Sequence, residues 1–379
     1  MVKIKKTRKT IKRSNNHSSK TKKNTSFQFT DTNTGLIDRV KLGKQLGKGM
    51  MGTTYLATDK DGNKYAYKIE RILPRETRKN LNSTFWREVD FGVNLANKYP
   101  DLFMSLYDWK IINKCEHKQD FSGFDFKMED LPKEQQNYYK RVNASPYCSI
   151  KLWSLIDGVL HDMVEPQLKF SKKVFYDIYI QILNIIYVMN KEGYFHNDLH
   201  PGNIGYIKTD KKFINIMGKD IPTHGYILKA IDFGLVLHDK YPLTPSWREK
   251  YENDNDLFPV FNLLSIELKT DKLNGNYTWK WFNEWLETSN KLHIPKKYIE
   301  KLEKYLPEGH SLNKDNYKWF MNKLFKMLEY EEWQRIITKN KTLQGIKPSY
   351  NIPETHLLYL VKHIYEPEKV LKYFLNNRI

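Results

Sequence analysis

Over residues 36–73, "LIDRVKLGKQLGKGMMGTTYLATDKDGNKYAYKIERIL", β-friendly residues come in short runs. A glycine-rich turn and the Asp-Gly of "KDGN" (60–63) part those runs, and the pattern predicts a small antiparallel sheet. In 83–99, Phe85, Val89, Val93 and Ala96 return near helical spacing, and Ser83 or Thr84 can cap the start. Residues 115–146 are charged and irregular and predict an insertion between strands. "YCSIKLWSLI" (147–156) reads as a strand leading to Asp157-Gly158. The most apolar segment, 174–190, carries Val174, Ile178, Ile182, Ile185 and Met189 on one helical stripe. Asp177, Gln181 and Asn184 interrupt it, so it predicts a buried helix and not a membrane span, which takes about 20 apolar residues. "GYILKAIDFGLVL" (225–237) predicts a strand pair or strand end, and "KTDKKFINIMGKD" (208–220) a hairpin before it. From 257 the pattern is helical, rich in Trp and Leu, with Pro-marked breaks. There Trp279, Trp281 and Trp285 favour core packing over base stacking.

Charge changes this picture at one end. Residues 1–30 hold ten of the Lys and Arg residues and no acid, within a chain of net charge +19. Without apolar periodicity this tail cannot offset the entropy of ordering, and it has no apolar stretch of the kind a secretory signal needs. A solvated arm is the plain expectation; nuclear targeting, or contact with nucleic acid or an acidic partner, are the sharper ones. Two cysteines, Cys115 and Cys148, lack metal-ligand spacing, so no disulfide framework is expected and a reducing, intracellular location is.

Chemistry gathers at four places. Gly47, Gly49 and Gly52 form G-x-G-x-x-G between two predicted strands, where missing Cβ atoms let backbone pass close to phosphate oxygens. A plain hairpin turn explains them equally well, and the absence of a following helix tells against a dinucleotide fold. Lys68 lies on the next strand and Glu88 twenty residues on, in the helix. Turned inward, a strand lysine needs an anion, and Glu88 could supply one; turned outward, both are ordinary surface charges. "GYFHNDLHPGNIGYI" (193–207) brings Asp198, a candidate proton acceptor, and Asn203, a hard-oxygen metal ligand. Asp232, in Ile231-Asp232-Phe233-Gly234, could be the second oxygen ligand for Mg²⁺. Capped turns are the alternative for both loops.

The ordered set (glycine loop, strand lysine, helix glutamate, H-x-D-x-x-x-x-N, D-F-G) resembles the protein-kinase family over about residues 40–265. That resemblance implies an α+β, bilobal fold: a small antiparallel-sheet N-lobe with one key helix, and a larger, mainly helical C-lobe. It implies ATP and Mg²⁺ as cofactors. Gly47, Gly49 and Gly52 would cover the phosphates, Ala66 would roof the adenine, and Lys68, paired to Glu88, would hold the α- and β-phosphates. Asp198 would be the catalytic base, with Asn203 and Asp232 on Mg²⁺, and the hinge to adenine would fall within Leu152–Asp157. His196-Asn197-Asp198 stands where the family has His-Arg-Asp, so the arginine that grips a phosphorylated activation loop is missing. His200 replaces a lysine, able to donate a hydrogen bond toward the γ-phosphate, and Thr54 replaces a valine. No A-P-E follows, and Asp256 is the expected anchor of the catalytic loop.

The domain expectation is a basic tail over 1–34, an N-lobe over 35–156 with the insertion at about 115–146, and a C-lobe over 157–379. The function expected is phosphoryl transfer to Ser or Thr of protein substrates without loop phosphorylation. Two alternatives stand beside it: a small-molecule kinase of the aminoglycoside or choline type, which "HNDLHPGN" also resembles, and a non-catalytic binding module. Divergent protein kinases of large DNA viruses combine such features, and the Lys-, Asn-, Ile- and Tyr-heavy composition suits an AT-rich genome. The expected location is cytoplasm or nucleus, or a virion for a viral source.

Overall fold

The computed structural model describes residues 34–49, 52–117, 128–160, 162, 172–245, 247–248, 251, 256–257, 359, 363 and 365–378. They build a mixed α/β structure around a five-stranded antiparallel sheet of order β1-β2-β3-β5-β4. Its strands are β1 (Lys41–Lys48), β2 (Thr53–Thr58), β3 (Lys64–Ile72), β4 (Leu106–Asn113) and β5 (Tyr147–Ser154). The first three come from the hairpin pattern of 36–73. β4 was not legible as a strand, because Asp108 interrupts its alternation. That carboxylate is fully buried and accepts the Ile37 N–H at 3.1 Å.

Helix α1 (Thr84–Phe91) follows β3 and continues as a π-helical turn over Gly92–Ala96. Gly92 is required there, because a Cβ would stand 2.6 Å from the Leu106 side chain. Residues 133–144, read from sequence as irregular, form α2 (Lys133–Ala144). Only Tyr139 and Val142 of it are buried, too thin a stripe to announce a helix. The two cysteines, not expected to pair, form a disulfide with Cα atoms 5.3 Å apart. The chain leaves β4 at Cys115 and returns beside it on β5 at Cys148, a closure across 33 residues that spacing alone does not reveal.

Beyond the sheet, β6 (Gly158–Val159) leads to α3 (Lys172–Lys191) and β7 (Tyr194–Phe195). Then come β8 (Ile204–Lys208), the hairpin β9 (Phe213–Ile216) and β10 (Lys219–Pro222), β11 (Tyr226–Ala230) and β12 (Leu237–His238). The strands β11, β8 and β6 form one small sheet, and β12 pairs with β7. α3 is apolar on more than one stripe: Ile178, Ile182, Ile185 and Met189 are buried, and so are Tyr179, Leu183 and Ile186. Two of its polar interruptions, Gln181 and Asp177, have partners. Gln181 accepts the Leu228 N–H and donates to the Tyr226 carbonyl. Fully buried Asp177 takes Arg378 on one oxygen at 2.6 Å, and Arg378 and His224 on the other at 2.9 and 2.8 Å. Arg378 follows α4 (Pro367–Asn376), which packs on α3 through Phe374 against Tyr176 and Tyr179.

Arg378→Ala is therefore expected to cost about 2–3 kcal/mol, the range for stripping a buried charged group of a partner. Chemical denaturation measures it, and an unchanged midpoint would show that His224 alone satisfies Asp177. No helix of the described residues is long and apolar enough to cross a membrane. The helical pattern after 257 lies outside the described residues up to residue 359, and so do Trp279, Trp281, Trp285 and the basic tail.

Candidate active site

The β1–β2 turn is closed at both ends: Gly49 N–H donates to the Gly52 carbonyl at 2.9 Å, and Gly52 N–H to the Gly49 carbonyl at 3.4 Å. Gly52 is forced by packing, since a Cβ would lie 2.7 Å from Glu70 Cβ on β3. Gly47 and Gly49 are not. Among the described residues nothing stands within 4 Å of a Cβ at Gly47, and only the Gly52 carbonyl, at 3.9 Å, near one at Gly49. Packing among the described residues gives no reason for those two glycines.

Pairing of β3 with β5 sets Lys68 opposite Lys151, Ala66 opposite Trp153 and Tyr67 opposite Leu152. Alternation then puts Ala66, Lys68 and Glu70 on one face and Leu152 on the other. Ala66 is buried on the lysine's face. Leu152 packs instead in the core with Tyr67, Ala57 and Ile37, so its side chain is not brought to the site. Strand parity turns the Leu152 side chain from the Lys68 face.

Helix α1 lies against the lysine face and brings Glu88. Lys68 Nζ is 2.7 Å from Glu88 Oε1, 2.9 Å from Asp232 Oδ1 and 4.0 Å from Glu70 Oε2. Burial opposes the charge on Lys68, but Asp232, Glu88 and Glu70 outweigh it and hold the ammonium well above its usual range. The Lys68 charge in turn holds the Asp232 carboxyl well below the usual carboxylate range. Burial raises Glu88, against the pull of Lys151 and Lys68.

Asp232 sits at φ +61°, a left-handed conformation that Asp tolerates. Phe233 beside it is buried, stacked on Phe91 of α1 at 4.1 Å and tilted against Trp153 and His196 at 5.6 and 5.7 Å. One aromatic side chain thus joins α1, β5 and the 196–203 loop. That loop is built by backbone capture. Buried Asp256 accepts the His196 N–H at 2.6 Å and the Asn197 N–H at 2.8 Å, as expected of its anchor. His196 Nε2 lies 3.0 Å from the Ile231 carbonyl, so it carries the proton, and burial keeps the ring neutral by lowering its pKa. Ile231 N–H donates to the Asn203 carbonyl, and Asn197, at φ +67°, donates from Nδ2 to the Leu235 carbonyl. The two loops are laced together.

Within the lacing, Asp198 keeps a half-exposed carboxylate. Asn203 Nδ2 donates to its backbone carbonyl at 2.9 Å and to Oδ2 at 3.2 Å. His200 is exposed; its Nδ1 accepts the Gly202 N–H, which leaves Nε2 as donor, 3.9 Å from Asp198 Oδ2.

The donor set suits Mg²⁺. Asn203 spends its amide nitrogen on Asp198 and Asp232 spends Oδ1 on Lys68. The remaining oxygens, Asn203 Oδ1 and Asp232 Oδ2, accept no hydrogen bond among the described residues. Mg²⁺ characteristically takes one or two protein oxygens and completes its shell with phosphate and water. No group of three His, Cys, Asp or Glu arranged to hold a metal ion occurs among the described residues, so an all-protein cage is not on offer there.

Helix α1 has a second tie that the sequence did not announce. Buried Asp90 accepts the Tyr241 hydroxyl at 2.8 Å and the Tyr194 hydroxyl at 3.4 Å. Arg87 lies over the Tyr241 ring at 5.7 Å and donates from Nε to the Leu81 carbonyl. Burial, with Asp90 beside it, pushes the Tyr241 hydroxyl well above its usual pKa. Tyr241 belongs to the segment after Asp-Phe-Gly, so this segment and the helix that carries Glu88 are fastened to each other.

No family model matches the chain, and no curated protein matches it in sequence.

Proposed function

We propose that the chain is a Ser/Thr protein kinase of bilobal, protein-kinase-like architecture, transferring the γ-phosphoryl of ATP with Mg²⁺. One observation carries this reading: Lys68 is held at once by Glu88 of α1 and by Asp232 of the Asp-Phe-Gly stretch, residues 20 and 164 positions away. A structural ion pair needs one partner. A lysine at the mouth of a glycine-turn sheet, between a helix carboxylate and a metal-type carboxylate, is arranged for a polyphosphate. Gly47 and Gly49, with no described residue crowding the side where a Cβ would stand, leave room for it.

In this reading Lys68 binds the α- and β-phosphates, Glu88 orients Lys68, and Asp198 accepts the proton of the attacking hydroxyl. Asn203 and Asp232 hold Mg²⁺, which when bound neutralises phosphate charge. His200 would donate from Nε2 toward the transferring group. Catalysis is then mainly positioning and charge neutralisation. Tyr241, not a phosphorylated residue, fastens the segment after Asp-Phe-Gly to α1, which supports activity without loop phosphorylation.

The test is transfer from γ-labelled ATP with Mg²⁺ to the chain itself, to casein and to a basic protein. Label on Ser or Thr is the expected result. Label found only on small cationic alcohols would favour the small-molecule kinase, and nucleotide binding without any transfer would favour the binding module.

A further inference from the structure

A second lysine stands behind the first. Lys151 comes from the middle of β5, directly opposite Lys68, and its side chain is fully buried. Its ammonium is 2.7 Å from Glu70 Oε1, touches Glu88 Oε2, and lies 5.4 Å from the centre of the Phe85 ring. Glu88 thus gives one oxygen to each lysine: Oε1 to Lys68 and Oε2 to Lys151. Glu70 is shared too, close to Lys151 and 4.0 Å from Lys68, with the Ser149 hydroxyl donating to it at 3.3 Å.

Charge counting gives Lys151 a task. Three carboxylates (Glu70, Glu88 and Asp232) face two ammonium groups. Without Lys151 all three would face Lys68 alone. Glu70 and the free oxygen of Glu88 would then draw Lys68 inward, away from the mouth where Asp232 lies, and the site would repel an anion. A fully buried lysine is costly unless it is well paired, so its presence calls for a function as well as partners.

We propose that Lys151 is a positioning residue for phosphate binding: by neutralising Glu70 and holding the second oxygen of Glu88, it leaves the Lys68 ammonium free to meet a nucleotide polyphosphate. The inference rests on the kinase reading and assigns a residue that reading does not use. It separates phosphate affinity from affinity for the base and sugar, since Lys151 acts only through charge.

The experiment compares Mg–ADP and adenosine as ligands of the full chain by calorimetric titration, in wild type and in Lys151→Met, with folding checked by circular dichroism. Lys151→Met is expected to weaken Mg–ADP roughly 10- to 100-fold, as when a buried charge pair loses a member, and to leave adenosine within about twofold. Adding Glu70→Gln, which removes the carboxylate charge left behind, should return Mg–ADP to within about threefold of wild type. The double variant also serves if Lys151→Met alone does not fold. Equal weakening of both ligands in either variant, or Mg–ADP binding untouched by Lys151→Met, overturns the proposal while the nucleotide site stands. A wild-type chain that binds neither ligand would remove the kinase reading, and the proposal with it.

Discussion

Asp198→Asn should leave nucleotide binding close to wild type and lower turnover by roughly 10²- to 10⁴-fold, the usual worth of a positioned general base. The substitution keeps the shape of the side chain. The half-exposed carboxylate is steadied by the Asn203 amide at 3.2 Å, and its backbone carbonyl is held by Asn203 and by the His200 N–H at 3.1 Å. Asp256, which sets the loop, is untouched. Only the ability to take a proton from an acceptor hydroxyl is lost. Single-turnover transfer measured beside nucleotide titration separates the two effects. A variant with full turnover would remove Asp198 from the role of base.

Asp232→Asn should act on binding itself. Asn tolerates the left-handed conformation found at this position, so the backbone has no reason to move. The charge, however, is held on Asp232 by Lys68 2.9 Å away. Losing it removes a partner of the lysine and, on the proposed activity, an anionic metal ligand. Mg–ATP affinity is expected to fall roughly 30-fold or more, which corresponds to about 2 kcal/mol. The same variant predicts a pH signature without nucleotide. Because the folded carboxyl is depressed, its contribution is complete above the unfolded value near pH 4 and fades as pH falls through the lower, folded value. The wild-type advantage in denaturation midpoint should be constant from pH 7 to about pH 5 and shrink in stronger acid. An advantage unchanged at about pH 2 would mean that the Lys68–Asp232 pair does not stabilise the fold.

Local pattern carried the sequence reading a long way, and its gaps have physical reasons. The β1–β3 sheet, the helix from Thr84, the strand at 147–154 and α3 all declare themselves through periodicity and turn residues. The hairpin at 213–222 does so through its strand pair, turning at Gly218. β4 was hidden by Asp108, whose burial is satisfied from a distant backbone N–H. α2 was hidden by its polarity. Candidate residues could be nominated from order along the chain, yet the meeting of Lys68 with Glu88 and Asp232 is a tertiary event. Lys151 shows the limit best. In "CSIKLWS" it reads as one strand lysine among many, and only the fold reveals two glutamates around it. Leu152 lies on a strand that the sequence announced, and the face its side chain takes was decided by pairing with Tyr67. The cysteines were likewise joined by the return of the chain, not by spacing.

The hydroxyl–carboxylate tie between Tyr241 and Asp90 is made entirely of groups present when the ribosome releases the chain. On the proposed activity, no modifying enzyme has to act to make that tie, and no phosphatase can strip it. Whatever part of the output depends on it would follow the amount of folded protein from the moment it appears.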